Sequence, residues 1–182
     1  DAPTCLTIAG LSGPEDTAAT VTLSCTDVEN DPLTYLVTTT PANGSASFSG
    51  ATLRFVPNAD WNGADSVTVR ASDGSLSATL TIPLTITPVN DAPRCGTTTV
   101  TVNEDTAGTT TVNCSDVDTG DSLTFSLTSG SANGTTVLTP GSGAVSFTPA
   151  PNYNGSTSLS IAVTDGKLTT NTTVAITVLS IN

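Results

Sequence analysis

The sequence predicts an all-β protein made of two tandem seven-stranded Greek-key β-sandwiches, and three observations carry that expectation. Short runs of Thr, Val and Ile alternate with clusters of Gly, Pro, Asn and Asp, the pattern of strands and turns. No window of the 182 residues has helical amphipathicity or an apolar run long enough to span a membrane. The chain also repeats itself: "DAPTC" at 1–5 returns as "DAPRC" at 91–95, and "EDTAATVTLSCTDV" at 15–28 returns as "EDTAGTTTVNCSDV" at 104–117. "PLTY" at 32–35 matches "SLTF" at 122–125, Asn43-Gly44 matches Asn133-Gly134, and "SDG" at 72–74 matches "TDG" at 164–166. A period of about 90 residues is too long for a solenoid unit and suits a self-sufficient sandwich. The expected domains are 1–90 and 91–182.

Taken in order, the strands of the first copy fall at 4–9, 18–25, 33–40, 45–48, 51–56, 65–72 and 77–88. Those of the second fall at 96–102, 107–114, 123–128, 135–138, 143–148, 157–164 and 168–180. The last strand of the first copy is the clearest, because Leu80, Ile82, Leu84 and Ile86 alternate with Thr79, Thr81, Pro83 and Thr85. Pro83 has no N–H to give a ladder and is expected at an edge or a bulge. Seven short strands separated by turns suggest an immunoglobulin-like sandwich.

Four cysteines permit three pairings. Repetition favours Cys5–Cys25 and Cys95–Cys114, which join the start of the first strand to the end of the second if those strands are antiparallel neighbours. Each bridge adds roughly 3 kcal/mol by loop closure. Cys5 has the opposite parity to Leu6 and Ile8, so a bulge is expected before them. Zinc is a poor alternative without histidine or CxxC spacing. Disulfides point to an oxidising, extracellular setting, secreted or at a cell surface. The sequence starts inside the Asp-Ala-Pro motif and stops where the linker would recur, with no signal peptide, and so reads as a segment of something longer.

The net charge of −12 comes from 16 acidic residues against 4 basic ones. That excludes nucleic acid as a partner and points to cations. If successive strands run alternately down and up, loops after strands one, three and five lie at the bottom and the others at the top. Glu15, Asp16 and Asp60 then sit at the bottom of the first copy; Asn90 and Asp91 belong to the linker; Asp116, Asp118, Asp121 and Asp165 sit at the top of the second. No Lys or Arg is expected among these nine. Carboxylates near 4 Å repel by about 1 kcal/mol even in water, so a cation is expected between them. Oxygen ligands in loops, with no histidine or thiolate, select Ca²⁺. Asx turns also favour Asp and Asn in loops, but they do not account for the recurrence of the acids with a linker Asn-Asp. Incomplete sites are expected at the outer ends, from Asp1, Asp27, Glu29, Asp31 and Asp73 and from Glu104 and Asp105.

"EDT", "DVENDPLTY", "ASDG" and "TPVNDAP" resemble the cadherin-like tandem repeats of bacterial surface and secreted proteins, and more distantly animal cadherins, over essentially all of both copies. The resemblance implies junction calcium held by Glu15, Asn90 through its backbone carbonyl, Asp91, Asp116, Asp118 and Asp165. It departs at "NADWNG" (58–63), where a cadherin Glu pair is replaced and only Asp60 can serve, and where the second copy has Asn152. No Trp lies near the amino terminus, so strand-swap adhesion is not implied. Trp61 can be read as a sugar platform, but Tyr153 in the matching loop favours a structural plug.

Catalysis is not expected: there is no histidine, one lysine and no GxSxG motif, and a glycosidase carboxylate pair would have to come from the acids assigned to metal. An internal isopeptide bond would need a buried lysine in each copy, whereas Lys167 stands alone beside a turn. The expected function is a calcium-rigidified extracellular spacer from a larger adhesin or matrix protein, with a calcium-dependent carbohydrate-binding module as the alternative. Expected partners are neighbouring repeats in the parent chain, and surface polysaccharide or another cell-surface protein; the expected state is a monomer that does not enter the membrane. Sequons at Asn43, Asn113, Asn133, Asn154 and Asn171 matter only in a eukaryotic secretory route, and the sequence leans bacterial.

Overall fold

Where Thr alternates with Leu, Val or Ile the chain is extended, and where Gly, Asn, Asp or Pro cluster it turns. The computed structural model, which describes residues 1–181, accordingly consists of strands joined by turns, with no helix among the described residues. Contacts divide the chain into two units, Asp1–Val89 and Asn90–Asn182.

In the first unit the strands are β1 (Thr4–Cys5), β2 (Leu11–Pro14), β3 (Ala19–Thr22), β4 (Cys25–Thr26), β5 (Thr34–Thr39), β6 (Gly44–Ser49), β7 (Thr52–Pro57), β8 (Gly63–Ser72) and β9 (Ser77–Thr87). One sheet has the order β2-β9-β8-β5 and the other β3-β7-β6, while β1 pairs with β4. The β2–β9 pair is parallel and the other pairs are antiparallel, which is what alternating strand directions require of a first and a seventh strand lying side by side.

The expected first strand, 4–9, is a correction. It is two strands, because the chain pairs with β4 as far as Cys5, gives a last bond from the Leu6 N–H to the Ser24 carbonyl at 2.9 Å with the Leu6 side chain 68% exposed, and pairs again from the buried Leu11 beside β9. This change of partner, not a bulge, reverses the parity after Cys5. The expected second strand, 18–25, is likewise split into β3 and β4, around the buried Leu23. Pro83 lies within β9 opposite Ser66, with no register break. It stands one residue before β2 begins to pair at Leu84, so β9 has only one neighbour strand at that point.

Inward positions of both sheets meet in a core of Leu53, Phe55, Val67, Val69, Ile82, Leu84 and Ile86 with others. Each of these large side chains contributes roughly 1.5–3 kcal/mol by leaving water. Asn43-Gly44 serves this core as well as its loop, since a Cβ at Gly44 would collide with the Phe55 ring and the Val56 carbonyl.

The second unit repeats the plan with β10 (Arg94–Cys95), β11 (Thr98–Asn103), β12 (Gly108–Thr111), β13 (Cys114–Ser115), β14 (Thr124–Ser129), β15 (Gly134–Thr139), β16 (Ala144–Pro149), β17 (Gly155–Thr164) and β18 (Thr169–Leu179). Its sheets are β11-β18-β17-β14 and β12-β16-β15, with β10 paired to β13. Its core centres on Phe147, Leu159, Ile161, Val163, Val174 and Ile176. The cysteines face each other in register in both small ladders, and disulfides join Cys5 to Cys25 and Cys95 to Cys114.

Candidate metal centre

The upper loops of the second unit gather six of the expected ligands. Asp116 follows β13, and its Oδ1 accepts the Asp118 N–H at 3.0 Å, an Asx turn that folds the loop back on itself. Asp118 Oδ2 in turn accepts the Asp91 N–H at 2.8 Å. Asp165, in the β17–β18 turn, takes the N–H groups of Lys167 and Leu168 on Oδ1, both at 2.6 Å. Its Oδ2 accepts from Asn90 Nδ2 at 2.7 Å, and that amide also donates to the Asp91 carbonyl at 2.8 Å. The Asn90 bond holds the Asp165 carboxyl below its usual range, and the Lys167 N–H adds to the effect against a smaller opposing contribution from burial.

Carboxylate oxygens of Asp116, Asp118 and Asp121 lie within 4.8 Å of one another. Two oxygens there, Asp116 Oδ2 and Asp121 Oδ2, are shielded from solvent and accept no hydrogen bond. The Asx turn uses Oδ1 of Asp116 and leaves Oδ2 unexplained. A shielded carboxylate oxygen without a donor is costly unless a cation faces it. The donors here are carboxylates and amide oxygens, with neither sulfur nor imidazole, and they fit a hard cation of the calcium type.

The expectation that no Lys or Arg lies among these acids is corrected by the structure. Lys167 Nζ lies 3.7 Å from Asp121 Oδ2 and donates to Asn90 Oδ1 at 2.7 Å, and Arg94 lies 3.9 Å from Asp91 Oδ1. Both cations follow closely on an acid in sequence, at Asp165-Gly166-Lys167 and three residues after Asp91.

The lower end of the first unit brings Glu15, Asp16 and Asp60 together. Glu15 is 3% exposed. Its N–H donates to the Thr87 carbonyl, its Oε1 accepts the Val89 N–H at 2.7 Å, and its Oε2 accepts from Asn62 Nδ2 at 3.2 Å. The side chain thus extends the parallel β2–β9 ladder past the point where the backbone pairing ends at Pro14 and Thr87. Asn62 and the Val89 amide were missed in the sequence, although Asn62 lies inside the quoted "NADWNG". Asp16 Oδ1 accepts the Asp60 N–H at 3.0 Å, and both residues have φ of 57°, a left-handed conformation that Asp and Asn tolerate. Asn152 and Asp105 repeat this bond at 3.1 Å with φ of 58°. Residue 60 or 152 is therefore set first by turn geometry, and Asp60 adds a charge that Asn152 does not.

The outer ends carry the same motifs in reduced form. Asp27 Oδ1 accepts the N–H groups of Glu29 and Asp31 at 3.0 and 3.3 Å, while its Oδ2 is shielded without a donor, as in Asp116. The Asp1 amino group donates to Glu29 Oε2 at 2.8 Å, which raises the amine and lowers the Glu29 carboxyl relative to their usual values. The Leu76 and Ser75 N–H groups, each 2.6 Å from Asp73 Oδ1, lower the Asp73 carboxyl. The Asp31 side chain is exposed. At the other outer end, Glu104 Oε1 accepts the Ile181 N–H at 2.8 Å, the counterpart of the Glu15–Val89 bond. Trp61 and Tyr153 each pack on the core of their unit.

Residues 90–180, half of the chain, match the bacterial cadherin-like domain, and residues 1–85 match the bacterial Ig domain. Among solved structures, a crystal structure of human protocadherin-24 EC1-2 (Form II) is 19% identical, with 99% of each chain covered and a TM-score of 0.60. Another crystal structure of human protocadherin-24 EC1-2 is 18% identical, with 100% of this chain and 99% of that one covered and a TM-score of 0.54. At such identities the likeness concerns the fold alone. An endo-fucoidan hydrolase from glycoside hydrolase family 107 is 24% identical; the chain spans only 29% of its length, and a TM-score of 0.43 carries no argument. No curated protein matches. With the fold of each unit, the repeated acidic loops and the domain match in view, the chain belongs to the bacterial cadherin-like domain family.

Proposed function

We propose that the protein is a calcium-rigidified extracellular spacer, a pair of structural repeats from a larger adhesin or matrix protein. The observation that carries this reading is the shielded Asp116 Oδ2, which accepts no hydrogen bond and lies beside the Asp118 and Asp121 carboxylates, while Asp121 Oδ2 has only the Lys167 ammonium at 3.7 Å. In this reading Asp91, Asp116, Asp118, Asp121 and Asp165 supply carboxylates, Asn90 supplies its carbonyl, and Glu15, Asp16 and Asp60 add ligands from the first repeat. The ion supplies the positive charge that lets these groups approach. Asp118 holds the Asp91 N–H at 2.8 Å, so an ion on the Asp116, Asp118 and Asp121 carboxylates would act on a residue group that already fixes the start of the second repeat.

The disulfides support an oxidising, extracellular location, secreted or at the cell surface, and the family supports a role without catalysis. Neighbouring repeats are the proposed partners, with surface polysaccharide or a cell-surface protein at the far end of the parent chain, and the pair itself acts as a monomer. The packing of Trp61 against the core favours a plug over an exposed sugar platform.

Small-angle scattering tests the reading. A narrow distribution of extended shapes in millimolar Ca²⁺, broadening on chelation, is the expected result. Identical profiles under both conditions would overturn the spacer mechanism.

A further inference from the structure

The two repeats have the same backbone at one turn but different side chains. Asp73-Gly74-Ser75-Leu76 and Asp165-Gly166-Lys167-Leu168 both fold around their Asp, whose Oδ1 takes the next two available N–H groups at 2.6 Å in each copy. Gly74 and Gly166 have φ of 102° and 98°. What differs is Ser75 against Lys167. The lysine reaches back over the acid cluster of its own unit, donating to Asn90 Oδ1 at 2.7 Å and lying 3.7 Å from Asp121 Oδ2, the oxygen that accepts no hydrogen bond.

We propose that Lys167 is a tethered counter-cation that competes with Ca²⁺ for the upper acid cluster of the second repeat and sets that site to a lower affinity than its carboxylates alone would give. The proposal rests on the reading above that this cluster takes calcium, and goes beyond it by assigning a tuning residue. Three features support it. An ammonium is a compact donor-only cation on a flexible stem, so it can face Asp121 in place of a metal. Its side chain is 63% exposed, so it can swing away without disturbing the core. Its backbone is fixed by the Asp165 turn, which keeps the charge near the site at all times and makes the competition intramolecular.

The size of the effect follows from Coulomb's law. One positive charge at about 6 Å from a divalent ion, screened as in water, weakens binding by on the order of tenfold. Having to give up the Asn90 and Asp121 contacts acts in the same direction.

The test is a CaCl₂ titration of the whole chain followed by amide NMR, with Lys167→Ser, which installs the sister repeat's residue, and Lys167→Gln, which keeps the stem and removes the charge. The Asp118 and Leu168 amides read the tuned site, and the Leu76 amide in the first repeat is the internal reference. In both variants the midpoint at Asp118 and Leu168 should fall to about one-tenth of the parent calcium concentration while Leu76 stays in place. Midpoints at Asp118 and Leu168 that are unchanged or higher would overturn the role of Lys167 and leave the calcium reading standing. If calcium moved neither amide in the parent or in either variant, the calcium reading would fall and this proposal with it.

Discussion

Asp116→Asn separates the turn from the cation site, because the two uses fall on different oxygens of one carboxylate. The asparagine Oδ1 still accepts the Asp118 N–H, so the Asx turn persists. In place of Oδ2 there is an NH₂ group, a donor placed among the Asp118 and Asp121 carboxylates. Two unit charges at 4.8 Å repel by roughly 0.9 kcal/mol in bulk water. The substitution removes two of the three pairings among these acids, about 2 kcal/mol at that separation before screening, which salt and Lys167 reduce to on the order of 1 kcal/mol. With chelator present, the second unit of the variant should therefore melt higher than the parent, by about 4–8 °C for a domain of this size.

Calcium should reverse the order. Millimolar ion stabilises the parent by RT ln(1 + [L]/Kd), about 1–3 kcal/mol for a site with the affinity typical of extracellular modules, and the variant lacks the oxygen that faces the ion. Calorimetry in chelator and in millimolar CaCl₂ should thus give crossing results, with the variant above the parent in one and below it in the other. A variant that melted lower in chelator and kept the parent's calcium shift would show that Asp116 Oδ2 does not face a cation, and the acids would then be ordinary turn residues.

Gly134→Ala should destabilise the second unit by more than about 2 kcal/mol, since its Cβ would strike the Phe147 ring and the Thr148 carbonyl; chemical denaturation reads this, and a near-neutral result would refute the close approach. Asp65 gives a pH signature: burial pushes its carboxyl up, but the N–H bonds from Ser66 and Asn43 outweigh it, and the net shift is below the ordinary 3.8. A lowered carboxyl contributes stability that is complete above its unfolded value and is lost as pH falls from 3.8 through the folded value. Asp65→Asn should flatten that acid limb for the first unit, and an unchanged pH profile would remove Asp65 as its cause. Reduction should cost each unit roughly 3 kcal/mol for loops of separation 20 and 19, seen as a drop in denaturant midpoint; peptide mapping that found a cross-unit bridge would contradict the pairing.

What could be read from the sequence was whatever has a short period or a repeat. Alternation at Leu80, Ile82, Leu84 and Ile86 marked the last strand, whose inner three are buried, and matched cysteine spacings led to the pairing found. What could not be read depends on neighbours distant in the chain. The first strand divides because β4 partners its start and β9 its end, and nothing local at Leu6 to Gly10 announces that exchange. Asn43-Gly44 stands out in the sequence only as a pair repeated at Asn133-Gly134, whereas the need for a missing side chain comes from Phe55, on a neighbouring strand. At the acid cluster of the second unit, residue type and loop order pointed to Asp116, Asp118 and Asp121, whose carboxylates the structure brings within 4.8 Å of one another. The division of work between their oxygens, and the reach of Lys167 across to Asn90, are three-dimensional facts that spacing does not encode.

On the proposed reading, an ion adds to a fold that each unit already holds by other means. Each core and each disulfide lies within its own unit, and Asp116, Asp118 and Asp121 stand outside the strands of theirs, so calcium would raise the stability of the second unit without being required for its sandwich. Within the second unit the Asp91 N–H is held by Asp118 and the Asp118 N–H by Asp116, each a bond to a charged acceptor and worth about 1.5–3 kcal/mol. Those bonds need the carboxylates of Asp116, Asp118 and Asp121 close together, where they repel one another. A cation on Asp116 Oδ2 would relieve that repulsion while leaving both N–H bonds intact. Chelation should therefore loosen this loop before it unfolds the unit: faster amide exchange at Asp91 and Asp118 well below the melting temperature is the expected result, and exchange that ignores chelator would refute the argument.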